Sequence, residues 1–349
     1  MTSVKVNASV KYEVLIGEGL LKNCGSLVKE VISPCKAAII SDDKVFPLYG
    51  EKVKESLEEA GFSVVSHIFK NGESSKNLHT YAGALEFLAR QRLTRTDIII
   101  ALGGGVVGDL AGFVAATYLR GIRFVQIPTT ILAACDSSVG GKTAVDLEAG
   151  KNLVGAFHQP SLVICDTDTF STLDARQVSC GYAEIIKYGV ICDKELFDAL
   201  SDDTLCEEEI ITRCVAIKRD IVERDEKESG DRKLLNLGHT LGHAVEKHSQ
   251  FTLTHGEAVS VGMMMVSRLS EKLGICEGVS EKIQKLSEKY ALPTEYDISA
   301  KEMLSIAAGD KKVEGSSITL GVPEEIGKCV LKKVTLKEFE EMISLILEV

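Results

Sequence analysis

Apolar residues in the first half of the chain alternate between strand-like and helix-like spacing. Short apolar runs of strand length occur at CKAAIISDD (35–43), SVVSHIF (63–69), TDIIIAL (96–102) and RFVQIP (123–128). Helical spacing occurs between them at FPLYGEKVKESLEEAGF (46–62), at NLHTYAGALEFLARQ (77–91) and from about residue 108. Strands that alternate with helices indicate βαβ units and a Rossmann-like, mainly parallel, doubly wound sheet.

From about residue 174 the pattern changes to long amphipathic helices. The clearest are EEEIITRCVAIKRDIVERDEKE (207–228), LLNLGHTLGHAVEKH (234–248) and GEAVSVGMMMVSRLSEKLG (256–274). A chain of 349 residues is long enough for two cores. We therefore expect an α/β N-terminal domain over residues 1–173 and a mostly α-helical C-terminal domain over residues 174–349. Because ligand sites favour domain interfaces, we expect the site in the cleft between them.

The composition is that of an ordinary soluble globular protein, with 45% hydrophobic and 26% charged residues. The first residues lack the apolar stretch of an export signal, and the chain has no run of eighteen apolar residues, so a cytoplasmic location is expected. The ten cysteines are scattered without a C-x-x-C pair, which predicts reduced thiols that lie mostly in the core.

A formal net charge of −11 disfavours a nucleic-acid surface, which requires a broad basic face. An acidic protein can still bind a small anion if its cations are gathered in one cleft. The positions of individual Lys and Arg residues are therefore more informative than the total charge.

A glycine-rich loop follows the strand at 96–102. Gly103, Gly105 and Gly108 satisfy the spacing G-x-G-x-x-G, which lets backbone approach a pyrophosphate at the start of a helix. Asp109 would orient part of such a dinucleotide, although a tight turn without a ligand can have the same spacing. The loop comes late in the chain and an acidic residue, Asp42, precedes it, so a variant of the Rossmann arrangement is favoured.

The segment DSSVGGKT (136–143) resembles a phosphate-binding P-loop, but Asp136 occupies the position of its first glycine. This disfavours an ATPase or GTPase. Asp136 and Lys142 instead suit the positioning of cofactor and substrate hydroxyl groups, with Lys142 supplying a cation.

Four of the seven histidines fall within GHTLGHAVEKHSQFTLTHGEAV (238–259), which indicates a zinc site. His239 and His243 are four residues apart, so they share one face of the predicted helix. The same stripe is extended by Arg232, Asn236 and Glu246. A solvated helix has no reason to carry Gly238 and Gly242, which predict close approach of another backbone.

Spacing alone does not choose the remaining ligands. His255 lies beyond a short loop, and Glu184 in GYAEIIKYG is an isolated acid among small and apolar residues. A plain buried ion pair between Glu184 and Lys187 is the alternative. A zinc protease is excluded, because Thr240 follows His239 where the H-E-x-x-H motif needs glutamate. The other histidines, His67, His79, His158 and His248, are interpreted as ordinary core or surface residues.

Together these segments resemble the 3-dehydroquinate synthase family. The resemblance is carried by GGGVVGDLAGFVAATYLRGIRFVQIPTTILAACDSSVGGKTAVD (103–146), GKNLVGAFHQP (150–160), GYAEIIKYG (181–189), LLNLGHTLGHAVE (234–246) and HGEAV (255–259), and it extends from about residue 40 to 312. It implies conversion of a seven-carbon keto-acid phosphate into a carbocycle, with NAD that is regenerated, Zn²⁺ or Co²⁺ as the metal, and a homodimer.

The resemblance also implies roles for individual residues. The metal ligands would be Glu184, His239 and His255, with His243 a catalytic residue beside them. NAD would be bound by Asp42, Glu73, Lys76, Gly104, Gly105, Val106, Val107, Gly108, Asp109, Thr129, Thr130, Lys142, Lys151, Thr169, Phe170, Ser171 and Thr172. The catalytic and substrate-binding set would be Arg120, Asp136, Lys142, Asn152, Lys187, Lys218, Arg232, Asn236, His243 and Lys311 or its neighbour Lys312.

These cations suit a substrate that carries a phosphate and a carboxylate, and the planar guanidinium of Arg232 suits the carboxylate. Asp174 and Gln177 depart from the family, which usually has Pro and Glu there. Three alternatives remain: a polyol dehydrogenase that resembles glycerol dehydrogenase and needs no phosphate-binding cations, a sugar-phosphate cyclase whose substrate lacks a carboxylate, and a catalytically silent NAD-binding scaffold.

Overall fold

Helices and strands alternate along most of the chain in a computed structural model that describes residues 1–307, 313–314 and 317–347. The strands are β1 (Thr2–Asn7), β2 (Lys11–Gly17), β3 (Lys36–Asp42), β4 (Ser63–Phe69), β5 (Ile98–Gly103), β6 (Arg123–Pro128), β7 (Lys142–Leu147), β8 (Gly150–Phe157), β9 (Leu162–Asp166), β10 (Val313–Glu314), β11 (Ser317–Glu325) and β12 (Lys328–Thr335). The helices are α1 (Cys24–Val31), α2 (Glu51–Glu59), α3 (Leu78–Arg90), α4 (Gly105–Thr117), α5 (Ala175–Cys192), α6 (Lys194–Asp202), α7 (Glu207–Arg224), α8 (His239–His248), α9 (His255–Lys272), α10 (Val279–Lys289), α11 (Ala300–Ala307) and α12 (Leu336–Ser344).

The chain divides into two compact units. The first contains Met1–Leu173 and Glu207–Glu226, and the second contains Asp174–Cys206 and Lys227–Val349. Residues 207–226 therefore group with the first unit, whereas the sequence predicts a continuous second domain over 174–349. The reason is that α7 pairs with β1 and the residues after it, where the Thr2 hydroxyl donates to Glu208 at 2.7 Å and the Asn7 backbone N–H donates to Glu223 at 2.6 Å.

The first unit is built on a seven-stranded sheet with the order β1-β2-β9-β6-β5-β3-β4. Every neighbouring pair is parallel except β1 and β2. Successive side chains of β5 alternate between two apolar cores, with Ile98 and Ile100 facing α1 and α2, and Ile99 facing α3 and α4. Burial of both faces of β5 confirms the predicted doubly wound, mainly parallel sheet.

The second unit is mostly helical and also contains the antiparallel strands β10, β11 and β12, which the helical pattern does not predict. Helices α8 and α9 approach each other closely at glycines. A Cβ atom on Gly262 would lie 2.0 Å from the carbonyl oxygen of Gly238, and one on Gly242 would lie 2.8 Å from that of Ala258. The predicted close approach of another backbone at Gly238 and Gly242 is confirmed.

Several boundaries differ from the predicted ones. The single helix predicted over 234–248 is wrong, because Gly238 has a φ of 75° and separates α8 from a 3₁₀ turn at Asp231–Asn236. Arg232 and Asn236 therefore do not lie on one helical stripe with His239. Helix α4 begins at Gly105 and not near residue 108. The hairpin of β7 and β8 was not predicted either.

All ten cysteines lie within the described residues and carry thiols in place of disulfides, as predicted, but only four are buried and Cys192 and Cys206 are exposed. The core therefore holds fewer thiols than the sequence predicts. Within the described residues, we find no helix with the length and apolar character needed to cross a membrane.

Candidate nucleotide and metal sites

The predicted nucleotide-binding residues of the first unit follow the carboxyl ends of adjacent parallel strands. Asp42 ends β3, the glycine loop begins at the end of β5, and Thr129 and Thr130 follow β6. The chain runs from β3 to β4 on one side and then returns to β5 on the other side of β3. This reversal of strand order is where doubly wound sheets bind ligands.

The glycine loop opens α4 without a capping side chain, because Gly104 occupies the N-cap position. Val106 and Val107 follow in the first turn, where N–H groups have no intrahelical acceptor and favour an anion. Protein packing also requires one of these glycines, since a Cβ atom on Gly103 would lie 2.7 Å from the Cβ atom of Val107. The loop therefore combines a packing requirement with an accessible helix start.

Two polar residues beside the loop differ in how they are paired. Asp42 is 3% exposed, and its carboxylate accepts hydrogen bonds from the backbone N–H groups of Lys44 and Val45 and from the side chain of Asn71 at 2.8–2.9 Å. The buried hydroxyl of Thr129 has no hydrogen-bond partner among the described residues. A buried hydroxyl without a partner at a strand end suits a polar ligand such as a nucleotide. The residues present therefore fit a dinucleotide.

Lys76 is the centre of a buried polar network in the first unit. It is 4% exposed, and its ammonium group lies 2.6 Å from Oδ2 of Asp109 and 2.6 Å from Oδ1 of Asn152. Asn152 has a φ of 55°, and its backbone N–H donates to Asp146 at 2.7 Å. Burial alone would lower the pKa of Lys76, but the charges of Asp109 and Glu73 outweigh burial and raise it. Lys76 is thus held as a cation.

The other predicted nucleotide-binding residues lie on three segments. Thr169, Phe170, Ser171 and Thr172 form a 3₁₀ turn (Thr167–Thr172) directly after β9. Phe170 is buried, whereas the Thr172 hydroxyl pairs with that of Tyr49 at 2.6 Å. Lys151 lies 3.6 Å from Glu73, and Lys142 is exposed at the start of β7.

Two further predicted cations of the first unit have contrasting surroundings. Lys218 on α7 is 5% exposed and donates to both the backbone carbonyl and the carboxylate of Asp136, at 2.7 and 2.8 Å. Arg120 is exposed, and both it and Leu119 have a positive φ, of 69° and 51°. Two consecutive non-glycine residues in the left-handed region mark a strained backbone where Arg120 is presented.

In the second unit, Glu184, His239 and His255 come together from three helices, α5, α8 and α9. Oε1 of Glu184 lies 3.5 Å from Nε2 of His239 and 3.3 Å from Nε2 of His255. The other carboxylate oxygen, Oε2, contacts the ammonium group of Lys187. The alternative ion pair is therefore present, and it leaves Oε1 directed at the histidines.

These distances fit a tetrahedral zinc ion. Zinc bonds of roughly 2.0–2.2 Å at tetrahedral angles place ligand atoms roughly 3.3–3.6 Å apart. Nδ1 of His239 lies 3.1 Å from the carbonyl oxygen of Leu237, which fixes the proton on Nδ1 and leaves the lone pair of Nε2 for a metal. Burial alone would lower the pKa of His255, but Glu184 and Glu246 together raise it to about 9. The site is thus strongly attractive to positive charge.

Of the remaining predicted residues of the second unit, His243 lies beside this cluster, and Arg232 and Asn236 lie in the 3₁₀ turn before α8. The ring of His243 lies 5.5 Å from that of His239 and 5.9 Å from that of His255. Arg232 is 1% exposed in the 3₁₀ turn before α8, and Asn236 in that turn donates to Glu228 at 2.6 Å. Lys311 and Lys312 lie outside the described residues.

The start of α9 is held by residues that the sequence interpretation missed. Thr254 and Glu257 form a capping box around His255, and Glu257 accepts two hydrogen bonds from Arg176, at 2.6 and 2.8 Å. The spacing T-x-x-E was a visible signal for this cap. Asp174, one of the two departures from the family, caps α5 by accepting the N–H of Gln177 at 2.8 Å.

Comparison with known proteins finds similarity to one enzyme family over most of the chain. The family model described as 3-dehydroquinate synthase N-terminal matches residues 66–180, and the one described as 3-dehydroquinate synthase C-terminal matches residues 181–313. The 3-dehydroquinate synthase of Streptococcus mutans is 46% identical over 342 residues, which cover 95% of this chain and 96% of that protein.

Two solved structures of synthases are also similar. A 2-deoxy-scyllo-inosose synthase, solved with carbaglucose-6-phosphate, NAD⁺ and Co²⁺, has a TM-score of 0.87 and 27% identity, covering 99% of this chain and 100% of that one. The 2-epi-5-epi-valiolone synthase of Streptomyces hygroscopicus, solved with NAD⁺ and Zn²⁺, has a TM-score of 0.87 and 28% identity, covering 98% of each chain. With both family models and a relative 46% identical over nearly the full length, the chain belongs to the 3-dehydroquinate synthase family.

Proposed function

We propose that this protein is a 3-dehydroquinate synthase, a phosphate-eliminating lyase of aromatic amino-acid biosynthesis. It converts 3-deoxy-D-arabino-heptulosonate 7-phosphate into 3-dehydroquinate and phosphate through transient oxidation, elimination, reduction, ring opening and aldol closure. The observation that carries the proposal is the convergence of Glu184, His239 and His255 at tetrahedral distances in a chain of this family. A buried acid facing two imidazoles is a metal-ligand set.

NAD⁺ is the proposed dinucleotide of the first unit and Zn²⁺ the proposed metal of the second, with Co²⁺ able to suit the same ligands. When bound, NAD⁺ accepts and returns a hydride while the metal polarises the substrate oxygens that it contacts. Gly104 through Asp109 bind the pyrophosphate region at the start of α4, and Asp42, Thr129 and Thr130 bind at the neighbouring strand ends. Glu73, Lys76, Lys142, Lys151 and Thr169 through Thr172 complete the proposed set.

The chain's own residues orient the substrate and neutralise its two anionic groups. Arg232 pairs with the carboxylate in a bidentate geometry. Arg120, Asn152, Lys187, Lys218, Asn236 and Lys311 or Lys312 supply the remaining polar contacts, with Asp136 orienting the ammonium of Lys218. His243, beside the cluster but outside the three ligands, holds or transfers a proton during the reaction.

Three features of the proposal concern the protein's surroundings. The partner is a small sugar-acid phosphate and not a nucleic acid or a membrane, and the location is the cytoplasm. The homodimer that the family resemblance implies stays a prediction, which size-exclusion chromatography with light scattering would test.

One assay separates the proposed activity from its alternatives. The protein is incubated with Zn²⁺, NAD⁺ and the keto-acid phosphate, and released phosphate and net NADH are followed together. Phosphate release without NADH accumulation is expected. Steady NADH formation with glycerol would indicate a polyol dehydrogenase, and absence of both products with correctly folded, zinc-loaded protein would indicate a silent scaffold.

Sedoheptulose 7-phosphate serves as the matched substrate, because it has seven carbons and a phosphate but no carboxylate. Turnover of the keto-acid phosphate should exceed that of sedoheptulose 7-phosphate. The opposite preference would overturn the assignment within the family and favour a sugar-phosphate cyclase.

A further inference from the structure

Glu246 lies on the opposite side of His255 from Glu184. Nε2 of His255 is 3.3 Å from Oε1 of Glu184, whereas its Nδ1 is 3.8 Å from Oε2 of Glu246. The two nitrogens of one imidazole ring therefore face two different carboxylates. A metal ion on Nε2 requires the proton of the neutral ring to be on Nδ1, which is the nitrogen that faces Glu246.

Glu246 is buried, which makes its charge costly unless that charge has a specific partner. The residue is 4% exposed and lies on α8, one turn beyond His243. Desolvation of a carboxylate costs several kcal/mol, and a hydrogen-bonded cationic or N–H partner offsets that cost. His255 lies within ion-pair range of Glu246, with Nδ1 3.8 Å from Oε2, and its backbone position at the start of α9 is fixed by the capping box of Thr254 and Glu257.

We propose that Glu246 is a positioning residue whose carboxylate accepts a hydrogen bond from Nδ1–H of His255 in the zinc-bound protein and so presents Nε2 to the zinc ion. The inference rests on the proposed metal ligands Glu184, His239 and His255. The two histidine ligands are then oriented by different means: the backbone carbonyl of Leu237 holds His239, and the carboxylate of Glu246 holds His255. A carboxylate partner strengthens the imidazole as a ligand more than a carbonyl does.

The alternative is that Glu246 is itself a ligand, because His243, Glu246 and His255 form a second group whose ligand atoms lie within 4.8 Å of one another. That arrangement would use Nδ1 of His255 and leave Nε2–H facing Glu184. The shorter distances to Glu184, together with the fixed tautomer of His239, favour the first group. The two arrangements predict opposite effects of removing Glu184 and Glu246.

The first measurement is the dissociation constant of Zn²⁺ from the full-length protein, by competition with a chromophoric chelator. Glu246→Ala should weaken zinc binding about 10–100-fold, and Glu246→Gln should weaken it less because the amide oxygen can still accept a hydrogen bond from Nδ1–H of His255. Glu302→Gln is the matched control, since Glu302 faces His248 at 3.6 Å outside both groups, and its zinc affinity should equal that of the wild type.

The second measurement detects the proton itself. In the Co²⁺-substituted protein, each ligating imidazole gives one exchangeable, hyperfine-shifted N–H resonance, so two are expected. Glu246→Ala should accelerate exchange of one resonance and leave the other, held by Leu237, unchanged. A purely structural role of Glu246 would not select one of the two protons.

Three outcomes would overturn the inference. Zinc affinity of Glu246→Ala within twofold of wild type would remove the positioning role. Complete loss of zinc in Glu246→Ala with retention in Glu184→Ala would make Glu246 a ligand and would also refute the proposed ligand set. Circular dichroism of the metal-free protein reports whether Glu246→Ala folds. If it does not fold, the milder variants Glu246→Gln and Glu246→Asp replace it. Unchanged zinc affinity and unchanged resonances in both would exclude the positioning role.

Discussion

The two units bury charged groups in opposite ways. In the first unit, the ammonium group of Lys76 meets carboxylate and amide oxygens of Asp109 and Asn152 at 2.6 Å, so a donor faces acceptors. In the second unit, Oε1 of Glu184 faces Nε2 of His239 and Nε2 of His255, and all three atoms are acceptors when the histidines are neutral ligands.

This difference separates a network whose charges the protein itself already compensates from a cluster of acceptors that needs a metal ion or a proton. When buried donors and acceptors pair with each other, the protein itself offsets the cost of burying their charges. Acceptors that converge on one point repel one another until a proton or a metal ion lies between them. Removing a group should therefore affect folding in the first case and metal binding in the second.

The largest expected effect is the loss of the metal site in His255→Ala. The variant should not retain stoichiometric zinc after gel filtration, and saturating zinc should no longer raise its melting temperature. In the wild type, zinc at a hundredfold excess over its dissociation constant stabilises by about 2.7 kcal/mol. His248→Ala is the control, because His248 pairs with Tyr296 outside both metal-capable groups. Full zinc content in His255→Ala would exclude His255 as a ligand.

A smaller effect, on stability and not on zinc, is expected for Lys76→Met. The substitution leaves the carboxylate of Asp109 without its cation in a largely buried position, which costs about 3–5 kcal/mol. The free energy of unfolding, measured with urea, should fall by that amount while zinc content stays stoichiometric. The double variant Lys76→Met/Asp109→Leu should recover at least half of the loss, because a well-packed apolar pair can replace a buried ion pair. Loss of zinc from Lys76→Met would contradict the contrast between the units.

Arg232→Ala tests the proposed contact of a buried guanidinium with the substrate carboxylate. Arg232 lies in the 3₁₀ turn that precedes the metal-ligand helix α8. Loss of a charge-assisted pair with the substrate carboxylate should lower kcat/KM, and the decrease should correspond to a loss of about 1.5–3 kcal/mol or more of transition-state stabilisation. Zinc should be retained. Arg232→Lys keeps the charge without the planar fork and should lie between wild type and alanine. An unchanged kcat/KM in Arg232→Ala would refute the carboxylate role.

The central strands and helices of the first unit could be predicted because each depends on local spacing. The run of apolar residues predicts the strand at 123–128, and the glycine spacing predicts the loop before α4. The Lys76 network could not be predicted, since Asp109 and Asn152 are 33 and 76 residues from Lys76 in sequence. The fold brings these segments together, with Asp109 on α4 and Asn152 on β8, in the hairpin whose Asp146 backbone N–H donates to the carbonyl oxygen of Lys76 at 2.7 Å.

In the second unit, spacing left His239 and His243 equivalent, because both lie on one face of a helix. Their difference arises from tertiary structure: Nε2 of His239 lies 3.5 Å from Glu184, and Nδ1 is held by Leu237. The break at Gly238 was also hidden, because a positive φ at one glycine does not interrupt the apolar period. The family resemblance supplied what local spacing did not.

The smallest expected effect concerns the starts of two helices. Asp174 caps the start of α5, where its carboxylate accepts a hydrogen bond from the N–H of Gln177, whereas the N-cap residue of α4 is Gly104, which has no capping side chain. Asp174→Ala should lower the free energy of unfolding by about 0.5–2 kcal/mol, and Asp174→Asn should lower it by less because Asn caps equally well. Zinc affinity should not change, since Glu184 lies more than two turns beyond the cap and is held by Lys187 and the histidines. A parallel loss of zinc affinity and stability in Asp174→Ala would mean that the start of α5 positions the ligand, and the stabilising and metal-binding roles of the second unit would no longer be separable.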